Sequence, residues 1–158
     1  MVKVLAFMGS PRKKGNVDTI LDEIIKGVND NNVEVKKYYL NDMNIKGCQG
    51  CLYCRKVPTC AFKDDMIDIY EDIKSAEYII IGSPVYICQV SAQTKLLLDR
   101  LYPLTEINKS KHTPRFGQKK LIMVYTQAAP ISFLFKKYFK VLKKAYKLGM
   151  KIAIDING

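Results

Sequence analysis

The sequence has no apolar stretch long enough to cross a membrane, and its first residues lack the charged, apolar and small-residue order of a secretion signal. We therefore expect a cytoplasmic protein without a membrane partner. Structural disulfides are disfavoured in that reducing compartment, although the chain has five cysteines. No repeat, low-complexity tract or linker divides the 158 residues, which predicts a single domain over 1–158.

Acidic residues are scarce, since 15 Asp and Glu stand against 26 Lys and Arg, a formal charge of +11 at pH 7. Such an excess attracts acidic partners, which include nucleotides, acidic redox proteins and nucleic acids. Charge alone does not choose among them. Histidine is nearly absent as well, and the one present, His112, lies in a polar stretch and is assigned no role.

The first turn of the chain, residues 8–17, is the stretch around which the rest is organised. An apolar run precedes it, and apolar residues at helical spacing follow it up to Val28. This pattern predicts a strand, a tight polar turn and a helix, so that backbone N–H groups and the positive end of a helix dipole point at one spot. The candidate phosphate-binding residues in this turn are Ser10, Arg12, Lys14, Gly15, Asn16 and Val17.

Two common phosphate-binding motifs are absent from this turn. Its spacing matches neither G-x-x-x-x-G-K-[ST] nor G-x-G-x-x-G. A nucleoside triphosphate, or a dinucleotide bound through the usual fingerprint, is therefore disfavoured. A mononucleotide phosphate remains, with FMN as the leading candidate, and the alternative is a basic surface turn that binds nothing.

Strand-like and helix-like segments alternate along the whole chain. After the first unit, the predicted strands cover 33–40, 77–82, 121–126 and 150–156, and the predicted helices 66–73, 91–102 and 132–147. This order predicts an α/β protein, a flavodoxin-like, three-layer doubly wound sandwich with a five-stranded parallel sheet in the order 2-1-3-4-5. FMN then lies at the carboxyl ends of the strands, where the predicted loops 9–16, 83–89 and 126–130 meet.

A second candidate site is Ser83-Pro-Val-Tyr-Ile87, which follows a buried strand. An isoalloxazine ring has apolar faces and one polar edge, so it suits a stiff loop with an aromatic side chain and free backbone amides. The candidate ring contacts are Pro84, Val85, Tyr86 and Ile87, together with Thr126 after the next buried strand. The alternative is a surface loop whose tyrosine packs on the following helix. Cys88, just beyond, is interpreted as a small buried hydrophobe.

A third candidate site is the cysteine-rich loop at 44–63, with the spacing C-x2-C-x2-C-x5-C. Thiolates at this compact pitch suit a [4Fe–4S] cluster, whereas structural zinc sites usually have two separated ligand pairs. The candidate ligands are Cys48, Cys51, Cys54 and Cys60. The loop leaves the end of the second strand, so we expect it at the sheet edge where the flavin lies. Reduced thiols without any ligand are the alternative.

Three of these stretches resemble the NAD(P)H-dependent FMN reductase family, and within it the iron–sulfur flavoproteins. The resemblance rests on residues 9–16, 82–86 and 91–100 and covers about residues 2–126. It implies FMN phosphate contacts at Ser10, Arg12, Gly15 and Asn16, and ring contacts at Pro84, Val85 and Tyr86. It also supports a [4Fe–4S] cluster on the four cysteines. Val17 stands where many relatives have threonine, which implies one hydroxyl contact fewer to the phosphate.

The predicted function is that of an FMN-dependent redox protein in which the flavin, and no catalytic side chain, does the chemistry. As an iron–sulfur flavoprotein it would transfer electrons between ferredoxin or NAD(P)H and a small acceptor. The alternatives are a plain NAD(P)H-dependent FMN or quinone reductase without a cluster, a non-enzymatic electron carrier and, more weakly, a nucleic-acid-binding module. We expect no nucleic-acid partner. Because no helix follows the predicted strand 150–156, we also expect exposed sheet surface and hence a homo-oligomer, most simply a dimer.

Overall fold

The computed structural model describes residues 2–108, 111–127 and 135–158. Its strands are β1 Val4–Met8, β2 Val35–Tyr39, β3 Tyr78–Tyr86, β4 Gln89–Val90, β5 Thr105–Asn108, β6 Lys111–Pro114 and β7 Lys120–Thr126. Its α-helices are α1 Asn16–Asn29, α2 Met66–Ser75, α3 Ala92–Asp99 and α4 Phe135–Asn157. Short 3-10 turns lie at Leu40–Asp42, Tyr53–Arg55 and Tyr102–Leu104. No helix within these described ranges has both the length and the apolar character of a membrane span.

The sheet is built around β1. This strand pairs in parallel with β2 on one side and with β3 on the other, and β3 pairs in parallel with β7. The resulting order, β2-β1-β3-β7, is the predicted 2-1-3-4 of a flavodoxin-like sheet, so the α/β class and this order are confirmed. β4 turns back antiparallel onto the end of β3, and β5 and β6 form a separate hairpin.

Two apolar cores lie on opposite faces of the sheet. Successive side chains of a strand point to opposite faces, so Val4, Ala6 and Met8 of β1 join the core under α1 and α4. Leu5 and Phe7 join the core under α2 and α3. All five residues of β1 are buried, as in a parallel strand covered on both faces. The sheet with helices on both sides is the predicted three-layer, doubly wound arrangement.

The predicted fifth parallel strand, residues 150–156, is wrong, because this segment is the end of helix α4. The alternation of apolar residues there suggested a strand, but Ile154, one of them, is 63% exposed. The apolar positions that pack on the core follow a helical spacing: Ala145, Leu148, Ile152, Ala153 and Ile156. In the described residues the fifth strand of the sheet is therefore the short antiparallel β4. Since α4 covers the sheet, the expected reason for oligomerisation, an uncovered face beside 150–156, no longer holds.

Helices α1 and α4 approach each other at two glycines. A Cβ atom on Gly149 would lie 2.0 Å from the carbonyl oxygen of Ile24, and one on Gly27 would lie 2.2 Å from that of Tyr146. These distances are far below van der Waals contact, so the two backbones touch where the glycines face each other. The position of α4 over the sheet depends on this contact.

We expect Gly149→Ala to lower the free energy of unfolding by about 2 kcal/mol, because a Cβ 2.0 Å from a backbone carbonyl oxygen places the overpacking cost at the upper end of its range. Overpacking costs about 1–3 kcal/mol or more, which outweighs a gain of at most about 1 kcal/mol in helix propensity. Urea unfolding followed by circular dichroism measures the change. Gly47→Ala is the control, because a Cβ there would meet Leu96 Cδ2 at an ordinary 3.6 Å. Equal effects of the two substitutions would contradict the proposed contact.

Candidate functional site

The turn between β1 and α1 leaves the start of the helix open. Gly9 N–H donates to the carbonyl oxygen of Gly82 at 2.7 Å, which joins the ends of β1 and β3. Helix α1 begins after Gly15, which is extended, and no side chain caps it. Thr19 N–H donates to the Gly15 carbonyl as the first helical bond, so the N–H groups before it have no acceptor within the helix. These donors and the helix dipole make an anion-binding end.

A buried aspartate holds the shape of this turn. Lys14 has a left-handed backbone with φ of 59°, and its N–H donates to Asp18 Oδ2 at 2.7 Å. Asp18 is only 2% exposed, and its other oxygen accepts from Lys37 Nζ at 2.5 Å. Burial alone would raise the pKa of Asp18, but the hydrogen bonds from Lys37 and Lys14 outweigh it, so its pKa lies below the ordinary value. Asp18 therefore stays ionised and keeps the turn in place.

The turn forms one end of a cavity of about 540 Å³. That volume is within the usual range for cofactor sites. The cavity is lined by Ser10, Arg12, Lys13, Lys14, Gly15, Asn16 and Val17 of the turn, by Pro84, Val85 and Tyr86 of β3, and by Thr126 and Gln127 at the end of β7. The structure thus brings together every residue that the sequence assigned to a flavin site, with the exception of Ile87.

The far end of the cavity is the end of a strand rather than the predicted loop 83–89. β3 continues to Tyr86, which is 42% exposed, and a two-residue turn then leads into β4. Ile87 and Cys88 form that turn with φ of 47° and 61°. Ile87 lies 95% exposed at the tip, away from the cavity wall, and Cys88 is exposed, so its interpretation as a buried hydrophobe is wrong.

Hydrogen bonds from the start of α3 hold the two ends of the cavity together. Ser91 caps this helix by accepting from Thr94 N–H. Its hydroxyl donates to the Gly9 carbonyl at 2.5 Å, and its N–H donates to Ser83 Oγ at 3.0 Å. The strand ends that carry the β1–α1 turn and Tyr86 are therefore both hydrogen-bonded to one buried serine. Thr94 and both serines are fully buried, which makes this connection rigid.

The cysteine-rich loop lies beside α3, at some distance from the cavity. Asn41, just before the loop, accepts from Gln93 Nε2 near the start of α3. Both ends of the loop, at Lys46 and Asp64, are hydrogen-bonded to Arg100 just after the end of α3. The loop thus begins at the expected sheet edge but runs to the opposite end of the helix. The eight residues of α3 span roughly 12 Å at the helical rise, which separates the cysteines from the first cavity.

The four cysteines of this loop carry free thiols and line one small cavity of about 30 Å³. Cys48 and Cys51 are exposed, while Cys54 and Cys60 are half-buried. Burial raises the pKa of the Cys54 thiol, and the neighbouring thiols add to this shift. The wall opposite the thiols includes Phe62, Arg100, Tyr102 and Pro103.

Four thiols are the donor set that a four-iron cluster uses, but a volume of about 30 Å³ is close to that of one water, so the loop would have to open to receive a cluster. In the ranges that the structure describes, no three His, Cys, Asp or Glu side chains converge closely enough to hold one metal ion. A four-iron cluster binds each thiolate at a different iron atom, so its ligands need not converge on one point. Arg100, 1% exposed, also lines the cavity, its guanidinium is close enough to Cys60 for their charges to interact, and its Nε has no hydrogen-bond partner in the described residues. A buried N–H without an acceptor suits a site that receives sulfur.

Sequence reasoning missed several residues that build these two sites. Two further cavity residues lie in stretches that the sequence had placed at the site: Lys13, whose charge was expected in the turn, and Gln127 of the predicted loop 126–130. Lys13 also pairs with Asp42 at 2.5 Å. The position of Asp18 in the first turn of a predicted helix could have indicated a role in the site. That position is ambiguous, because an acid there usually only interacts favourably with the helix dipole. No sequence pattern indicated Arg100 and Asp64, because they meet only after folding.

A family model described as NADPH-dependent FMN reductase matches residues 2–131. An iron–sulfur flavoprotein of Methanocaldococcus jannaschii is 38% identical over 103 residues, which is 65% of this chain and 53% of that protein. An iron–sulfur flavoprotein of Archaeoglobus fulgidus is 34% identical over 102 residues, 65% of this chain and 46% of that protein. The chain thus spans about half the length of the curated relatives it matches.

A solved structure supports the fold over almost the whole chain. The NAD(P)H:quinone oxidoreductase from Methanothermobacter marburgensis superposes with a TM-score of 0.75, covering 96% of this chain and 98% of that one. The sequence identity is 13%, so the likeness concerns the fold alone. It therefore supports the overall α/β arrangement described above.

We expect the free energy of unfolding of Asp18→Asn to decrease less at acid pH than that of the wild type. A carboxylate whose folded pKa is depressed stabilises the fold above its unfolded pKa of about 3.9, and this contribution disappears as the pH falls through the folded pKa. Urea unfolding between about pH 5 and about pH 3 should show a smaller decrease for the variant than for the wild type. Asp22→Asn, which removes the exposed partner of Lys37, is the control for loss of one charge. A wild-type slope in Asp18→Asn would contradict the depressed pKa.

Proposed function

Because the chain belongs to the NADPH-dependent FMN reductase family, we propose that it is a flavin oxidoreductase that binds FMN in the cavity between the β1–α1 turn and the ends of β3 and β7. One observation carries the proposal: a single cavity of about 540 Å³ has an uncapped helix start at one end and Pro84, Val85 and Tyr86 at the other. This pairs a phosphate site with a surface for a flat, largely apolar ring.

The phosphate end would use backbone and side-chain donors together. The open N–H groups at Asn16 and Val17 lie at the positive end of the helix dipole. Ser10 is buried, and its Oγ accepts from Arg12 N–H at 3.2 Å, which leaves the hydroxyl proton to donate. Arg12 and Lys14 add positive charge. Gly15 completes the turn, and Val17 contributes its N–H but no hydroxyl.

The ring end would orient the flavin. Pro84 is buried and Val85 half-buried, so they offer a firm apolar wall, while the exposed Tyr86 ring can stack on one face. Thr126 offers a hydroxyl at the end of β7. Bound FMN supplies the hydride and electron transfer, and the residues of this chain bind and orient it without a catalytic side chain. Ile87 stays a predicted contact, although its side chain lies at the exposed tip of the turn.

We further propose that Cys48, Cys51, Cys54 and Cys60 bind a [4Fe–4S] cluster, as in an iron–sulfur flavoprotein. The four free thiols around one cavity and the unpartnered Arg100 Nε support this proposal. The four cysteines would hold the cluster, which would supply single-electron chemistry beside the flavin. The proposed electron donor is NAD(P)H or ferredoxin, and the proposed acceptor is a small molecule. A reductase without a cluster is the second candidate, since the family description names only FMN.

The same proposal includes the cellular compartment, the oligomeric state and the partners of the protein. Free thiols suit the reducing cytoplasm. We still propose a homo-oligomer, but for a different reason. Leu121 and Tyr125 of β7 are 56% and 54% exposed, and a second copy of the chain could cover them. The formal charge of +11 would favour acidic ligands and redox partners, and no nucleic-acid partner is proposed.

We expect Arg12→Gln to weaken FMN binding about tenfold and riboflavin binding much less, because only FMN has a phosphate. A charge-assisted hydrogen bond contributes about 1.5–3 kcal/mol, reduced here by the exposure of Arg12, and about 1.4 kcal/mol corresponds to tenfold. Fluorescence titration of the apoprotein with both ligands measures the difference. Lys26→Gln removes one positive charge from the far end of the same helix and is the control. Equal losses for both ligands would place the phosphate elsewhere.

We expect anaerobically reconstituted protein to contain about four iron and four acid-labile sulfide atoms per FMN. Cys51→Ala should lose most of both and keep FMN, because the two cavities share no residue. Cys88→Ala, which removes an exposed cysteine outside the set, should keep the iron. Near-zero iron in the wild type with FMN bound would leave the plain reductase as the function.

A further inference from the structure

Arg100 is an unusual buried cation. It lies just after the end of α3, is 1% exposed, and is the largest fully buried side chain in the described part of the chain. Buried charged groups are normally paired and hydrogen-bonded at every polar atom. Arg100 Nε nevertheless has no partner, and it is the one buried side-chain nitrogen or oxygen in the described residues that lacks one.

The rest of the guanidinium holds both arms of the cysteine-rich loop. Nη1 donates to the carbonyl oxygen of Lys46 at 2.6 Å, two residues before Cys48. Nη1 and Nη2 also donate to the two oxygens of Asp64, four residues after Cys60, at 2.7 and 2.9 Å. Burial alone would raise the pKa of Asp64, but the bonds from Arg100 and from the Lys46 N–H outweigh it, so its pKa is lowered and the pair stays charged.

These bonds leave the guanidinium little freedom to turn. The Phe62 ring lies 5.3 Å from Arg100 Cζ, and the Tyr70 hydroxyl donates to the Arg100 carbonyl at 2.6 Å. The bidentate pair with Asp64 fixes the guanidinium plane, so Nε cannot rotate toward another acceptor. Arg100 also lines the cavity with all four cysteines. Sulfur is the acceptor that the cavity would gain on binding a cluster.

We propose that Arg100 is a positioning residue of the cluster site whose Nε–H donates a hydrogen bond to sulfur, either of a cysteine ligand or of the cluster. The inference rests on the proposed cluster and deepens it. Hydrogen bonds to sulfur and nearby positive charge stabilise the reduced, more negative state of a cluster. Arg100 therefore makes the cluster easier to reduce, in addition to holding the two arms of the loop.

The reduction potential of the cluster tests this role, measured by redox titration with EPR detection on protein that contains both FMN and cluster. We expect Arg100→Lys, which keeps the charge but has no Nε, to shift the potential to a more negative value. Arg115→Lys is the matched control. Arg115 also binds the loop, through the Cys54 carbonyl at 3.3 Å, but its Nε donates to the Thr105 carbonyl. The control should stay close to the wild-type potential.

A second measurement keeps the proposal falsifiable if Arg100→Lys fails to hold iron. Wild-type protein labelled with 15N-arginine should show hyperfine coupling between one arginine nitrogen and the reduced cluster in pulsed EPR, and Arg115→Lys should retain it. A full iron content in Arg100→Lys with an unchanged potential would overturn the inference, as would absence of the coupling in cluster-loaded wild type. A wild type that binds FMN but no iron would instead overturn the cluster itself, and this outcome is separate from the other two.

Discussion

The close approach of β1 and β3 at Gly9 and Gly82 is the constraint on which the cavity proposed to bind FMN depends. Gly9 N–H bonds the Gly82 carbonyl at 2.7 Å, and a Cβ on Gly9 would lie 1.9 Å from Thr94 Oγ1. Without a side chain there, the turn passes directly over the start of α3, where Ser91 binds its backbone. The helix start of α1 and the end of β3 then face one cavity, which is the switch point expected where strand order reverses.

Each of the two candidate sites is held by an ion pair with a buried carboxylate. Asp18 with Lys37 fixes the β1–α1 turn, and Asp64 with Arg100 fixes the cysteine-rich loop. In each pair the carboxylate also accepts a backbone N–H of the loop it holds, from Lys14 in the first and from Lys46 in the second. Polar loops have few apolar contacts to position them, and such a pair supplies a fixed point because leaving either charge alone is costly.

Much of the first site could be predicted from local pattern. A buried run, a polar turn and a helical periodicity occur within residues 2–28, so their geometry depends on neighbours in sequence. The same reasoning failed at 150–156, where alternation and helical spacing coexist in one apolar segment. Packing against Gly27 stabilises the helical conformation of this segment. The side of α4 that lies on α1 contains Ala145, Gly149 and Ile152. Such a contact joins residues more than a hundred positions apart, and no local window contains it.

The sequence by itself determined the α/β class, the polar turn between β1 and α1 and the set of four cysteines, because each follows from residue types at short, regular spacing. Only the tertiary structure decided that α4 covers the sheet, that Ile87 lies away from the cavity wall, and that the cysteines lie at the far end of α3. It also brought Arg100 to Lys46 and Asp64, leaving Nε without a partner beside the thiols. These features depend on which surfaces, distant in sequence, pack together. That packing is determined by the total apolar surface that the whole chain buries.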